Sequence, residues 1–241
     1  MEGQLARRET PDATPVSNRL AWRTGLPVLE SPGVLLREVE PSDAPALASM
    51  LGPPEVAQFL PPGPTTQEEF ETFIAWAQQT RQAGRYISLA VVPRDIETAV
   101  GIFQIWPLQP DFGVAEWGFA LGRPFWGTGL FLECARLVID FAFEALGVQR
   151  LEARAAAEDR RGNAALWKVG AVREVVMRKC FPCADGEYRD HVMWSIRADA
   201  WGPLSADRQA AEPPRAGGWA LMPVRGYRGR QSVVVGRADA S

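Results

Sequence analysis

One histidine, three cysteines and three tyrosines in 241 residues leave few side chains for metal binding, redox work or tyrosine-based acid catalysis. Each scarcity excludes something. Cys134, Cys180 and Cys183 are too few and too unevenly spaced for a disulfide scaffold. Cys180 and Cys183 spell CFPC, but the pair lies between two strand-like runs, not at the helix start where a redox CxxC sits. As half of a zinc site it lacks a second pair, because His191 is the only histidine. No apolar run approaches the roughly 18 to 20 residues that span a bilayer. The polar, proline-bearing N-terminus also has no signal-peptide core, so a cytoplasmic protein with no membrane partner is expected. A net charge of −3 argues against a general nucleic-acid binder.

What is present centres on residues 114–146, VAEWGFALGRPFWGTGLFLECARLVIDFAFEAL, which read as a strand, a glycine turn and a long apolar helix. Gly127 and Gly129 flank Thr128 where the helix begins, so several free backbone N–H groups can converge on one spot. With the positive end of the helix dipole behind them, they form an anion cradle. Glu133, Arg136, Asp140 and Glu144 recur at steps of three and four and mark a narrow solvent stripe. Leu130, Leu132, Leu137, Val138, Phe141 and Leu146 cover the remaining faces.

Residues 1–30 lack apolar periodicity and read as a partly disordered extension with Trp22 and Leu26 available to dock on the domain. The domain, 31–197, starts at the strand VLLREV (34–39), followed by a helix with Ser42 as N-cap and Asp43 in its first turn. After a proline-rich break, Thr66 and Glu69 form a capping box. Phe70, Phe73, Ile74 and Ala77 supply the helical stripe behind it, and Gly84 ends the helix. Runs 85–92, 99–106 and 114–121 form an antiparallel meander, and 149–157 lies parallel to 114–121 because a helical crossover joins them. The cradle therefore stands at the carboxyl end of a strand, where open α/β sheets bind ligands. A short helix at 163–169 and a hairpin of 171–181 with 187–196 complete the domain. Residues 198–241 read as a flexible Gly/Pro/Arg-rich tail. Its five arginines between 215 and 237 solubilise it or dock RNA or an acidic partner, and VVV at 233–235 is a run able to pair onto a sheet edge.

The strings AEWGFALGRPFWGTGLFLECARLVIDFAFEALGVQRLEA, RRGNAALWKVGAVREVVMRK and EYRDHVMWSI resemble the GNAT acetyltransferase superfamily, and within it the Rim-type ribosomal-protein N-acetyltransferase branch. The resemblance covers about Val34 to Arg197. It implies an α/β acyl-CoA N-acyltransferase fold, a mixed and mostly antiparallel twisted sheet with helices on both faces. It also implies acetyl-CoA as co-substrate, with amides from Trp126 through Gly127, Thr128 and Gly129 to Leu130 holding the pyrophosphate. The pantetheine arm would lie along the splayed edge of strand 114–121, pairing near Phe119, Ala120 and Leu121 as an added strand would. A strand N–H would stabilise the oxyanion. This chemistry needs no metal. The expected partners are acetyl-CoA and a primary amine, either a protein N-terminus or a small molecule. The oligomeric state is left open, a homodimer included.

The attacking amine must be neutral, and an α-amine (pKa about 7.7 to 8.0) needs far less help than a lysine (about 10.4). Glu116, in AEWGF, matches a glutamate that the family places beside the acceptor amine and is the expected general base; its alternative is a strand glutamate paired with an arginine. Tyr188 is the candidate general acid by elimination, since Tyr86 falls in a core strand and Tyr227 in the tail. Many relatives carry a tyrosine on the helix where this chain has Trp167, so a dedicated acid is in doubt. Asp159 and Gly162 stand where the family usually has asparagine and serine. Asn163 is the candidate to take over that hydrogen bond, against a plain helix-start role. His191 beside Asp190 is no dyad, because strand neighbours point to opposite faces. Trp106 and Trp117 are candidates to line the acceptor groove. The competing readings are a non-catalytic acyl-CoA-binding regulatory module and an RNA-binding protein.

Overall fold

The computed structural model describes residues 18–202 apart from Ala184. Eight strands form one sheet in the order β1-β2-β3-β4-β5-β6-β8-β7. They are β1 (Leu29–Glu30), β2 (Val34–Glu38), β3 (Ile87–Pro93), β4 (Gly101–Pro107), β5 (Val114–Leu121), β6 (Arg150–Ala156), β7 (Val172–Pro182) and β8 (Tyr188–Arg197). Every neighbouring pair is antiparallel except β5 and β6. That exception follows from the crossover between them, α4 (Leu130–Asp140) with a wider π turn at Phe141–Ala145. The remaining helices are α1 (Ala44–Leu51), α2 (Pro54–Ala57), α3 (Gln67–Gln82) and α5 (Arg160–Lys168). Among the described residues no helix is long and apolar enough to cross a membrane.

The two sheet faces carry separate cores. On one, Val34, Leu36, Phe103, Trp117 and Leu151 pack under α4 through Cys134, Ala135, Val138 and Ile139. On the other, Val39, Ala90, Ile102 and Ala120 meet Leu47, Phe70, Phe73 and Ile74 of α1 and α3. The α3 capping box forms as its sequence requires: Thr66 accepts from the Glu69 N–H and Glu69 accepts from the Thr66 N–H. Gly84 takes φ +75° just past the helix end.

The fold departs from its sequence reading in three places. Ser42 caps nothing. It lies inside a short 3-10 turn, Pro41–Asp43, that precedes α1; the N-cap position of α1 is Asp43, whose buried carboxylate makes no bond to that helix and instead closes the turn, accepting from the Glu40 N–H at 2.8 Å and from both Arg37 terminal nitrogens at 2.8 and 2.7 Å. The carboxylate can be buried there because the Arg37 guanidinium supplies its counter-charge. Upstream of residue 31, Trp22 docks as its sequence allows, buried edge-on against Phe112 at 5.4 Å, but Leu29–Glu30, read as extension, pair with β2 as an added strand. Downstream, the Trp201 indole donates to Asp140 at 2.6 Å. Trp201, a lone tryptophan, sets up no periodicity, so its docking is not announced by the pattern. The arginines and VVV of the C-terminal tail lie outside the described residues.

Candidate active site

The cradle is built by backbone conformation. Gly127 and Gly129 adopt φ +75° and +92°, and a Cβ at either would meet nothing within 4 Å. Glycine is thus required for its left-handed backbone, not for space. The N–H groups of Gly127, Thr128, Gly129 and Phe131 donate to no group among the described residues. The Leu130 N–H makes only a long contact, 3.4 Å, with the Thr128 hydroxyl. Trp126 differs from its expected role. Its amide donates to the Arg123 carbonyl at 3.1 Å and its indole to the Leu121 carbonyl at 2.7 Å. It braces the turn, and Arg161 stacks on its ring with the guanidinium carbon 3.2 Å from the centroid. The run of open amides therefore extends from Gly127 to Phe131, one residue beyond the stretch read from sequence.

The slot behind it comes from strand geometry. β5 pairs with β4 along its length but with β6 only at Val114, Ala115 and Glu116. Beyond Glu116 the two parallel strands part, leaving the β6-facing edge of 117–121 open. A cleft of about 240 Å³ enters this gap, bordered by Gly118, Phe119 and Ala120 on one side and Ala155, Asp159 and Gly162 on the other. The Leu121 carbonyl is already occupied by the Trp126 indole. Phe119 and Ala120 are thus the expected edge residues that line the slot.

Glu116 stands where the strands diverge. Register aligns Trp106, Glu116 and Glu152 side by side on one sheet face. Glu116 is only 6% exposed, and the Arg154 Nη2 donates to its Oε2 at 2.7 Å. Burial pushes the carboxyl up to about 7, against the pull of Arg154 and Trp106 and with help from the neighbouring Glu152. A buried carboxylate poised near neutrality is suited to taking a proton.

The rest of this face holds residues that sequence reasoning placed elsewhere. Tyr86 is buried yet lines the cleft, stacked 6.1 Å from Trp106, and burial raises its hydroxyl so that it stays protonated. His191 also lines the cleft, buried, with Nδ1 3.1 Å from the Arg189 carbonyl; burial lowers its pKa. The cross-strand pairing of His191 with Ala156 puts it on the Glu116 face, a relation visible only once the sheet order is known.

Other expected residues are not brought to the cleft. Tyr188 is 59% exposed at the hairpin and lies outside the cleft lining, which removes the structural basis for a general acid there. The Asn163 amide is consumed internally: Nδ2 donates to the Ala156 and Asp159 carbonyls at 2.8 and 2.7 Å, and Oδ1 accepts from the Trp194 indole at 2.9 Å. The N-cap of α5 is Asp159, accepting from the Gly162 N–H at 3.0 Å, which accounts for a carboxylate at that position. Trp106 and Trp117 both border the cleft as expected, although the Trp117 ring packs among Phe103, Phe119 and Phe131 in the core. Cys134, Cys180 and Cys183 are free thiols, and burial raises the pKa of each.

Parallel strands that part to open an edge of β5, a turn of open amides in the chain just after that strand, and a buried carboxylate where the strands diverge are features that suit an acyl-CoA-dependent transferase. The family model of the acetyltransferase (GNAT) domain matches residues 34–172, more than half of the chain, and the chain belongs to that family. The uncharacterized N-acetyltransferase p20 of Bacillus licheniformis is 25% identical over 162 residues, 67% of this chain and 90% of that protein. The uncharacterized N-acetyltransferase YoaA of Bacillus subtilis is 27% identical over 156 residues, 64% and 87%. Among solved structures, Mycobacterium smegmatis RimJ in complex with CoA-disulfide aligns with a TM-score of 0.65 at 21% identity, covering 73% of this chain and 87% of that one. RimL, a ribosomal L7/L12 alpha-N-protein acetyltransferase in complex with coenzyme A, aligns at 0.64 and 19%, covering 72% and 99%. These last two share the fold. The protein is an acetyl-CoA-dependent acyltransferase.

Proposed function

We propose that this protein is an N-acetyltransferase that moves the acetyl group of acetyl-CoA to a primary amine, a protein α-amine or a small-molecule amine, with Glu116 as general base. The observation that carries the reading is the buried Glu116 carboxyl, held near pH 7 at the point where β5 and β6 part. The chain's own groups divide the work. Open amides from Gly127 to Phe131 hold phosphate oxygens, and the edge of β5 near Phe119 and Ala120 pairs with the amides of the pantetheine arm. The amine lone pair attacks the thioester carbonyl carbon, the new C–N bond forms, and the C–S bond breaks to release the thiolate. The amine's excess proton passes to Glu116, while Arg154 keeps the carboxylate oriented. No tyrosine is assigned to the thiolate, which picks up its proton from water.

Glu116→Gln tests this. Turnover falls about 10²- to 10⁴-fold while acetyl-CoA affinity by calorimetry is unchanged. In the wild type, kcat/KM rises with pH through about 7 as Glu116 ionises, and this limb disappears in the variant. Unchanged turnover in Glu116→Gln removes the base assignment.

A further inference from the structure

Resting on that reading, we infer that the acceptor is a small primary amine carried on a flat apolar body, an arylalkylamine, and not a peptide terminus or a polyamine. Beyond Glu116, away from the β5–β6 gap, the cleft floor is aromatic: Tyr86 and Trp106 lie nearly parallel, 20° apart, with Phe70 and Phe73 of α3 beside them. Its rim is the loop between α2 and α3, which contributes Phe59 and three prolines, Pro61, Pro62 and Pro64.

Three features of this lining select the occupant. First, prolines have no N–H to donate, so the rim cannot pair with a peptide main chain as an added strand. The uncharged polar side chains there are Gln104, the Tyr86 hydroxyl and Thr65, whose hydroxyl already donates to Glu69, so few groups remain to satisfy the peptide N–H and C=O groups drawn in behind an α-amine. Second, the carboxylates are committed. Glu116 is paired with Arg154, and Asp159 caps α5. A second ammonium group, as on a polyamine, would be buried among aromatics without a counter-charge. Third, part of the 240 Å³ belongs to the slot at Phe119 and Ala155, so what remains beside Tyr86 and Trp106 is on the scale of one ring system. A single ammonium arriving over those ring faces is attracted before it gives up its proton.

The test is a thiol-release assay with the full chain, acetyl-CoA and three probes: phenethylamine, a hexapeptide beginning with serine, and spermidine. The expected kcat/KM for phenethylamine exceeds the other two by at least about tenfold. Phe59→Ser, at a half-exposed rim position, raises the phenethylamine KM by about tenfold and leaves the acetyl-CoA KM unchanged. Release that favours the peptide or spermidine overturns the inference about the acceptor and leaves acetyl transfer standing. A Phe59→Ser effect equal on both KM values overturns it too. If none of the probes gives release while acetyl-CoA binds, this inference and the transfer reading both fall.

Discussion

β5 presents two faces with opposite design. Ala115, Trp117 and Phe119 turn toward α4, where Trp117, Phe103 and Phe131 stack with centroids 5.9 to 6.5 Å apart in an apolar core. Glu116, Gly118 and Ala120 turn toward α1 and α3, and there the same strand lines a cleft holding Arg154 and His191. One face is filled and the other is left open at the position of a buried ion pair. The strand's period of two therefore separates the packed core from the side chains that line the cleft, one residue apart.

Adjacent substitutions break or sharpen this contrast. Glu116→Gln, keeping shape, has the largest effect expected on rate, about 10²- to 10⁴-fold, with the fold retained in circular dichroism. Its neighbour Trp117→Ala acts the other way. Deleting a buried tryptophan costs about 3–5 kcal/mol in urea unfolding, whereas the surviving folded fraction keeps the wild-type pH dependence of turnover. If Trp117→Ala moved that pH profile while leaving stability intact, the two faces would not be separable.

Gly129→Ala probes the cradle, which belongs to neither core. Its φ of +92° and the absence of any clash make the cost purely conformational, about 1–2 kcal/mol for a residue with a Cβ. Relaxing that strain turns the free amides away, so calorimetry should show weakened acetyl-CoA binding with little change in the amine KM. Equal affinity for acetyl-CoA would detach the turn from phosphate binding.

The contrast also explains how much could be read from the chain. Local signals were legible: the Thr66–Glu69 box, the positive-φ glycines at 127 and 129, and the order of strands all act over a few residues. The place of Glu116 on the strand leading into the glycine turn was legible as well, through the family resemblance. Relations across strands were not. His191 reaches the Glu116 face only because β8 inserts between β6 and β7. Tyr86 joins the cleft because it stands next to Trp106 across β3 and β4, whereas Tyr188, equally plausible in one dimension, ends up at the exposed hairpin. Asn163 failed for a related reason. Its hydrogen-bonding capacity is spent on Ala156, Asp159 and the distant Trp194, and no local pattern reports a partner 31 residues away.

His191 offers the smallest and most specific test of the open face. Arg154, Arg189 and Asp190 act on it electrostatically, but burial dominates and lowers its folded pKa below the ordinary histidine value of 6.5. The unfolded chain therefore binds a proton more readily than the folded one in the window from 6.5 down to that lowered value. Stability rises with pH across this window and is lost as pH falls through it. Replacing the imidazole by an amide of similar polarity removes the proton uptake. His191→Gln should lose less stability than the wild type between pH 7 and pH 5 in parallel urea titrations, with the curves converging in slope above pH 7. A variant that follows the wild-type pH dependence throughout would mean that the imidazole is as solvated in the folded chain as in the unfolded one, and the cleft would then be wetter on its β8 side than its lining implies.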